Sequence, residues 1–474
     1  MSQRPSQILP YPQFRQEIER LWPQLEPYTI NNAISYGATG NGSTDDTTAV
    51  QKALDAANAA GGGTIYFPAG TYVVGNLNLY SNTVLYGDGP ASVLKQKSGS
   101  PYCISINSDS DGTADPIDNI ANVRLTGLQL LGTVVDDDFS EFYHLLNLNA
   151  CSHVMVDNCY LTGWRGDGIY IGSGNVAATE RHNLDITIRD CVFDGVTKDN
   201  RNPISVIDCQ HLTVENCYFT RCGKSTMPGG ITIEPDNNVF HRLRDINIIG
   251  NYFTDNDGNQ AAVQIYLSRN DYTLSPQDFW IVSNHVNCSA GAHNGFNVIG
   301  SADTTYTSPD LHVMIKDNYT YQVANDIYLD GVRGVTIEGN LFRQSTAQCY
   351  VGYNYNCTDL TVRNNTWDYG STGNGYLWML YTVKRVRFEG NKFLDVGKSD
   401  GTVGVPIRFV GSQVGNYVDI NGNTWSNDAT SRITKCILKD SGYTLTDGEG
   451  RFAWNTFDGC SGNDFAPTYT DGNI

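Results

Sequence analysis

Between residues 122 and 427 one short pattern of apolar and polar positions recurs eleven times. It reads Asn122-Val-Arg-Leu-Thr-Gly-Leu128, His153-Val-Met-Val-Asp-Asn-Cys159, Asp185-Ile-Thr-Ile-Arg-Asp-Cys191 and His211-Leu-Thr-Val-Glu-Asn-Cys217. Seven further copies begin at Asp245, Asp278, His312, Gly334, Asp359, Arg385 and Tyr417, and neighbouring copies are 22 to 34 residues apart. The second and fourth positions are apolar and the third is mostly polar, the alternation of a strand with one buried face. The seventh position holds Cys159, Cys191 and Cys217, then Asn251, Asn284, Asn318, Asn340, Asn365, Asn391 and Asn423. One residue type at one turn position, copy after copy, predicts coils stacked so that each amide hydrogen-bonds the next coil. Spacing and β-branched strands together predict an all-β solenoid. No segment there holds a 3.6-residue period, which excludes helical repeats.

Each coil carries a second strand after its turn. Gly168-Ile-Tyr-Ile-Gly172, Pro203-Ile-Ser-Val-Ile207, Gly230-Ile-Thr-Ile-Glu234, Ala262-Val-Gln-Ile-Tyr266, Gly295-Phe-Asn-Val-Ile299 and Asp326-Ile-Tyr-Leu-Asp330 align. If the second residue of each points inward, the third points out. One outer column is then Tyr170, Ser205, Thr232, Gln264, Asn297 and Tyr328. Its neighbour is Gly172, Ile207, Glu234, Tyr266, Ile299 and Asp330.

Residues 1–32 are expected to form an N-terminal helical segment, in which Phe14, Ile18, Leu21, Trp22 and Leu25 make an apolar stripe interrupted at Pro23. It is expected to lie on the solenoid or to serve attachment. The parallel β-helix domain is expected over 33–460 and a polar tail over 461–474. The domain opens with Ala33-Ile-Ser-Tyr-Gly-Ala38 and Gly40-Asn-Gly-Ser-Thr-Asp-Asp46, then a helix through Ala49, Val50, Ala53, Leu54 and Ala57. Gly61-Gly-Gly-Thr-Ile-Tyr-Phe-Pro68, Gly70-Thr-Tyr72 and Val84-Leu-Tyr-Gly-Asp-Gly89 follow. Asp45 and Asp46 stand where a helix N-terminus favours carboxylates, and the triple glycine ends the helix. This helix is expected to cap the open end of the solenoid, which otherwise exposes an apolar core and unpaired strand edges.

These residues resemble the N-terminal part of the family usually called pectate lyase superfamily 3, and the phage tailspike depolymerases that share it. The motif covers about 55 residues, and the repeats extend the likeness over most of the chain. The resemblance implies a right-handed parallel β-helix that handles polysaccharide. Hydrolases, lyases, epimerases and non-catalytic binders all occur in that group, so it fixes the fold more sharply than the reaction.

The 474 residues carry 31 Lys and Arg against 50 Asp and Glu, a net charge of -19. That disfavours nucleic acid and anionic membrane as partners, and it weighs against a polyanionic substrate unless basic side chains are concentrated locally. The 12 cysteines fall in the turn column or in similarly spaced positions, so stacked free thiols are expected rather than disulfides, and no Cys-x-x-Cys pair offers a zinc site. No apolar run has the length of a membrane span. The first residues lack a secretory h-region, so the protein is expected to be cytoplasmic as made, or virion-associated or extracellular by another route. No cofactor is expected. Asn107, Asp109, Asp111, Gly112 and Asp118 approximate a calcium loop, although a solvated turn is the plainer reading. A homotrimer is conceivable from the tailspike likeness, but no long C-terminal assembly domain is seen.

An outer sheet face of amides, hydroxyls and aromatic rings suits a sugar chain. Tyr170, Gln264, Tyr266, Arg269, Asn297, Tyr328 and Asp330 are the expected contacts. Glu234, in Gly229-Gly-Ile-Thr-Ile-Glu-Pro-Asp236, is the first candidate for catalysis, flanked by small residues. Asp208 lies one coil earlier, and one strand spacing puts its carboxyl roughly 5–9 Å from Glu234, the range glycosidases use. Asp236 and Asp167 are further candidates, with an endo-acting glycoside hydrolase as the leading expectation. A lyase or epimerase instead needs a base and cations to neutralise a uronate, for which Arg181, His182, Arg221 and Lys224 stand in nearby turns. A non-catalytic adhesin is the third alternative.

Overall fold

The computed structural model describes residues 30–108, 119–173, 182–236, 241–267, 276–288, 293–300, 309–343, 349–368, 376–395, 405–411, 414–426, 437–446 and 451–458. The expected helix over residues 10–28, most of the calcium-like loop, Arg181, Arg269 and the 461–474 tail lie outside them.

Three parallel sheets run side by side for the length of the molecule, with 16, 15 and 13 strands. Each complete coil contributes one strand to each sheet, the end coils fewer, so the chain is a right-handed parallel β-helix, as the repeats predict. The recurring pattern supplies the first sheet, and its register is regular: Val154 lies beside Ile186, Ile186 beside Leu212, and Leu212 beside Ile246. The second and fourth positions fill the core, where Ile186, Ile188, Leu212 and Val214 are fully buried. Between them rings stack along the axis. Phe193, Phe219 and Phe253 have centroids 4.8 and 4.7 Å apart, and Phe342, Trp367, Phe393, Trp425 and Phe457 continue at 5.0 to 5.4 Å.

The seventh-position ladder is real. Asn284 donates its Nδ2 to the Ile248 carbonyl of the preceding coil at 2.9 Å and to Asn318 Oδ1 of the next at 3.0 Å. Its own Oδ1 accepts from the Asn251 backbone N–H and amide at 3.0 Å. The same bonds repeat through Asn318, Asn340, Asn365, Asn391 and Asn423, and reach Asn455. A final coil therefore forms at Thr456–Asp458. The cysteines replace only half of this pattern. Cys191 Sγ reaches the Val156 carbonyl at 3.5 Å, and all ten described cysteines are free and buried. The sixth position has a physical reason too: Asn158, Asp190, Asn216, Gly250, Asp317 and Gly339 all have φ between 51° and 68°. Asn, Asp and Gly tolerate this left-handed conformation best.

The capping helix spans Thr47–Ala59 and buries Val50, Ala53, Leu54 and Ala57 against the first coil. Its start differs from the simplest reading. Asp46 occupies the cap position without capping, and its carboxylate turns back to accept from the Thr39 and Gly40 backbone at 2.7 and 3.1 Å. Asp45 takes the Thr47 N–H at 3.1 Å and pairs with Lys97 at 2.7 Å, which pulls its carboxyl down to about 2. At the other end Gly62 has φ +135°, and a Cβ there would sit 2.6 Å from the Asn82 backbone. No described helix is long and apolar enough to cross a membrane.

Candidate functional site

The third sheet carries the expected outer columns in the expected register. Tyr170, Ser205, Thr232, Gln264, Asn297, Tyr328 and Tyr350 follow one another from coil to coil. Their neighbours alternate with core residues such as Ile169, Ile204, Ile231 and Val263. The column is more sheltered than strand alternation implies: Ser205 and Thr232 are fully buried, and Gln264 and Asn297 are nearly so. Over Ser205 the roof is Arg201, whose Nη1 donates to Ser205 Oγ at 2.7 Å.

Arg201 also gathers three carboxylates. Nη1 reaches Asp167 at 3.2 Å, Nε reaches Glu141 at 3.4 Å, and Nη2 bonds Glu234. Asp167 is almost wholly buried, whereas Glu234 keeps 14% of its side chain exposed. The guanidinium is thus fixed from behind by Asp167 and presents Glu234 at the surface. Burial pushes His144 below its ordinary range, and its Nδ1 accepts the Asp167 N–H at 3.0 Å. Tyr170 stacks on that ring at 4.7 Å and 7°. Burial raises the Tyr170 hydroxyl, with the charges of Asp236 and Asp167 adding to the effect. Tyr266 is half-buried and lies beside Glu234, one coil on, because Ile233 pairs with Ile265.

The other sequence candidates go elsewhere. Asp208 is fully buried. It accepts from the Arg242 backbone N–H at 2.8 Å and from His182 Nδ1 at 2.9 Å. Val206 pairs with Ile233, so it is Ile207 that is registered with Glu234, and Asp208, one position on, has the opposite parity and turns away from the face that carries Glu234. Asp236 is exposed, and the Pro235 between it and Glu234 is buried. Arg221 binds Asp194 through Nε at 2.8 Å, and Lys224 binds Asp199 at 2.6 Å. Arg221 follows a strand of the second sheet, so it is not part of the Glu234 cluster. Sequence reading missed Arg201. The signal was an arginine just before an outward-facing strand, beside a coil carrying Gly166-Asp167.

Further along the same face lies a cleft of about 480 Å³, lined by Gln260, Asn294, Asn297, Ile299, Asn325 and four tyrosines. Asp330 sits at its edge, where Tyr328 points a hydroxyl at it from 3.4 Å. Burial raises the Asp330 carboxyl even though Asn354 and Tyr355 donate to it at 2.8 to 3.0 Å.

Residues 30–241 match the family model described as rhamnogalacturonase A/epimerase, pectate lyase-like. Over this stretch, somewhat under half of the chain, the protein is similar to that pectate lyase-like family. The chain is 28% identical over 227 residues to the uncharacterized protein YclG of Bacillus subtilis, covering 43% of this chain and 38% of that one. It is 46% identical over 77 residues to mannuronan C5-epimerase AlgE3 of Azotobacter vinelandii, covering 14% of this chain and 4% of that one. The match therefore spans well under half the length of both relatives. Among solved structures, a family 28 exopolygalacturonase of Yersinia enterocolitica superposes with a TM-score of 0.50 at 14% identity, over 94% of this chain and 79% of that one. PfbA, a surface adhesin of Streptococcus pneumoniae, gives 0.50 at 16% identity, over 84% and 90%. At such identities these two speak to the fold.

Proposed function

We propose that the chain is a polysaccharide-processing enzyme that lays an extended glycan along the outer face of the third sheet and hydrolyses it at Glu234. The observation that carries the hydrolytic reading is the state of the cations. Elimination at a uronate needs positive groups free to neutralise its carboxylate. Arg201, Arg221 and Lys224 are each already engaged by the protein's own carboxylates.

Hydrolysis needs two carboxyl groups, and Glu234 and Asp236 flank the buried Pro235. Two residues of extended chain span roughly 7 Å, which matches the separation of inverting glycosidases. In this mechanism Arg201 holds Glu234 ionised. Glu234 takes a proton from the water whose oxygen attacks the anomeric carbon. Asp236 gives its proton to the departing glycosidic oxygen as the C–O bond breaks. Asp167 and His144 act as positioning residues behind Arg201.

A polyuronate epimerase or lyase is the second reading, favoured by the local identity to an alginate-modifying enzyme. Incubation with neutral and acidic polysaccharides separates the readings. New reducing ends without the ultraviolet absorbance of an unsaturated uronate mark hydrolysis. That absorbance, or a changed uronate composition without cleavage, overturns it. Binding with no product marks an adhesin.

A further inference from the structure

We propose that the tyrosine-walled cleft is a separate anchoring subsite that selects an uncharged sugar unit, with its tyrosines three to five coils from Glu234. This deepens the function proposed above and rests on it for the nature of the ligand. The strands order the coils: from Ile231–Ile233 the third sheet passes through Ala261–Tyr266 and Asn294–Ile299 to Ile327–Asp330, Cys349–Val351 and Tyr376–Leu380. At about 4.8 Å per strand, the tyrosines lie some 14 to 24 Å from Glu234, while Gln260 and Asn297 bring the near end of the cleft to within one or two coils of it.

Its walls are aromatic and arranged to hold something flat. Tyr350 and Tyr381 lie nearly parallel, at 18° with centroids 6.4 Å apart. Tyr353 stands edge-on to both, at 74° and 84°, and is 54% exposed. An aromatic side chain left this open beside a concave surface is a platform for the C–H face of a pyranose. The floor is a chain of amides. Asn325 Nδ2 donates to Asn294 Oδ1 at 2.9 Å, and Asn294 Nδ2 donates to Asn297 Oδ1 at 3.1 Å. At the end of this chain Asn325 Oδ1 is shielded from solvent and receives no hydrogen bond from the described residues. The cleft's volume is that of a small-molecule site.

The charge pattern fixes the class of sugar. Among the described lining residues none is Lys, Arg or His. The nearby Arg408 is bound to Asp440 at 3.0 Å, and Asp330 adds a titratable acid at the edge. A uronate would meet no cation and would stand near a carboxyl, so a neutral hexosyl unit is preferred. The repeat of an extended pyranose chain is close to one coil spacing. An oligosaccharide that reaches from this cleft to Glu234 therefore needs several units.

The test is calorimetric titration of the Glu234→Gln protein, with and without Tyr353→Ala or Asn325→Leu, using hexasaccharides of the gluco-, manno- and galacto-series and the matching oligouronates. At least one neutral series is expected to bind, with affinity falling tenfold or more on either cleft substitution and oligouronates binding more weakly. Tyr353 is exposed, so that variant keeps its fold, which thermal melts verify. Unchanged affinity in both cleft variants, tighter oligouronate binding, or no binding by any series overturns the subsite. If glycan is hydrolysed but binding ignores Tyr353, the subsite alone fails. If cleft-dependent binding occurs but wild-type protein releases no product, the catalytic reading alone fails.

Discussion

Replacing Asn318 with Ala removes one rung from the middle of the amide ladder. In the native chain Asn318 Nδ2 donates to the Ile281 carbonyl at 2.8 Å and to Asn340 Oδ1 at 2.9 Å. Its Oδ1 accepts from the Asn284 backbone N–H at 2.8 Å and from Asn284 Nδ2 at 3.0 Å. Asn318 is 2% exposed, so water cannot take over these bonds. The substitution strands at least one backbone carbonyl and one backbone N–H, each at about 1–3 kcal/mol, giving a loss of about 2–6 kcal/mol. Coils interact chiefly with their neighbours, so the effect is expected to be concentrated near the break. Urea titration followed by tryptophan fluorescence measures the total, and hydrogen exchange at the Asn284 amide measures the local opening. Thr336→Ala on the outer face of the same sheet is the control and is expected to cost under about 1 kcal/mol. A loss below about 1 kcal/mol for Asn318→Ala, or unchanged exchange at Asn284, would refute the ladder as a source of stability.

Hydrogen bonds donated to the Asp185 and Asp245 carboxylates raise His211 to about 10. Because the folded value is raised, this stabilisation is complete below about pH 6.5 and is lost as pH climbs through about 10; His211→Ala should flatten the thermal-midpoint profile over that window. Burial raises the thiols of Cys103, Cys151 and Cys357, and all ten described cysteines are buried. A thiol reagent should therefore leave those ten unlabelled in native protein and label them after denaturation. Arg201→Met should cut hydrolysis at least tenfold and move the acidic limb of the pH–rate profile, set by the base Glu234, upward, whereas a merely structural role would leave that limb in place.

Where information repeats along the chain, the sequence reports it well. The seventh-position Asn residues, the alternation in each strand and the column from Tyr170 to Tyr328 follow from periodicity alone, because stacking makes register and repeat the same thing. Asp208 shows where this stops. Coil spacing gives a distance but no facing: Ile207 is the residue level with Glu234, and Asp208 shares the inward parity of Ile204 and Val206. Arg201 was invisible for another reason. Its three carboxylate partners lie 60 residues before it, 34 before it and 33 after it, and no local pattern joins them. The shelter over Ser205 and Thr232 likewise depends on side chains reaching across from neighbouring coils, which strand periodicity does not describe.

The central functional claim is that Glu234 performs chemistry on a glycan held by the third sheet. The direct measurement is product release by Glu234→Gln beside wild type on whichever polysaccharide the wild-type protein degrades, with glycan affinity measured on the same samples. The account predicts a fall in rate of at least a hundredfold with affinity largely retained. Wild-type turnover in the Gln variant would contradict it.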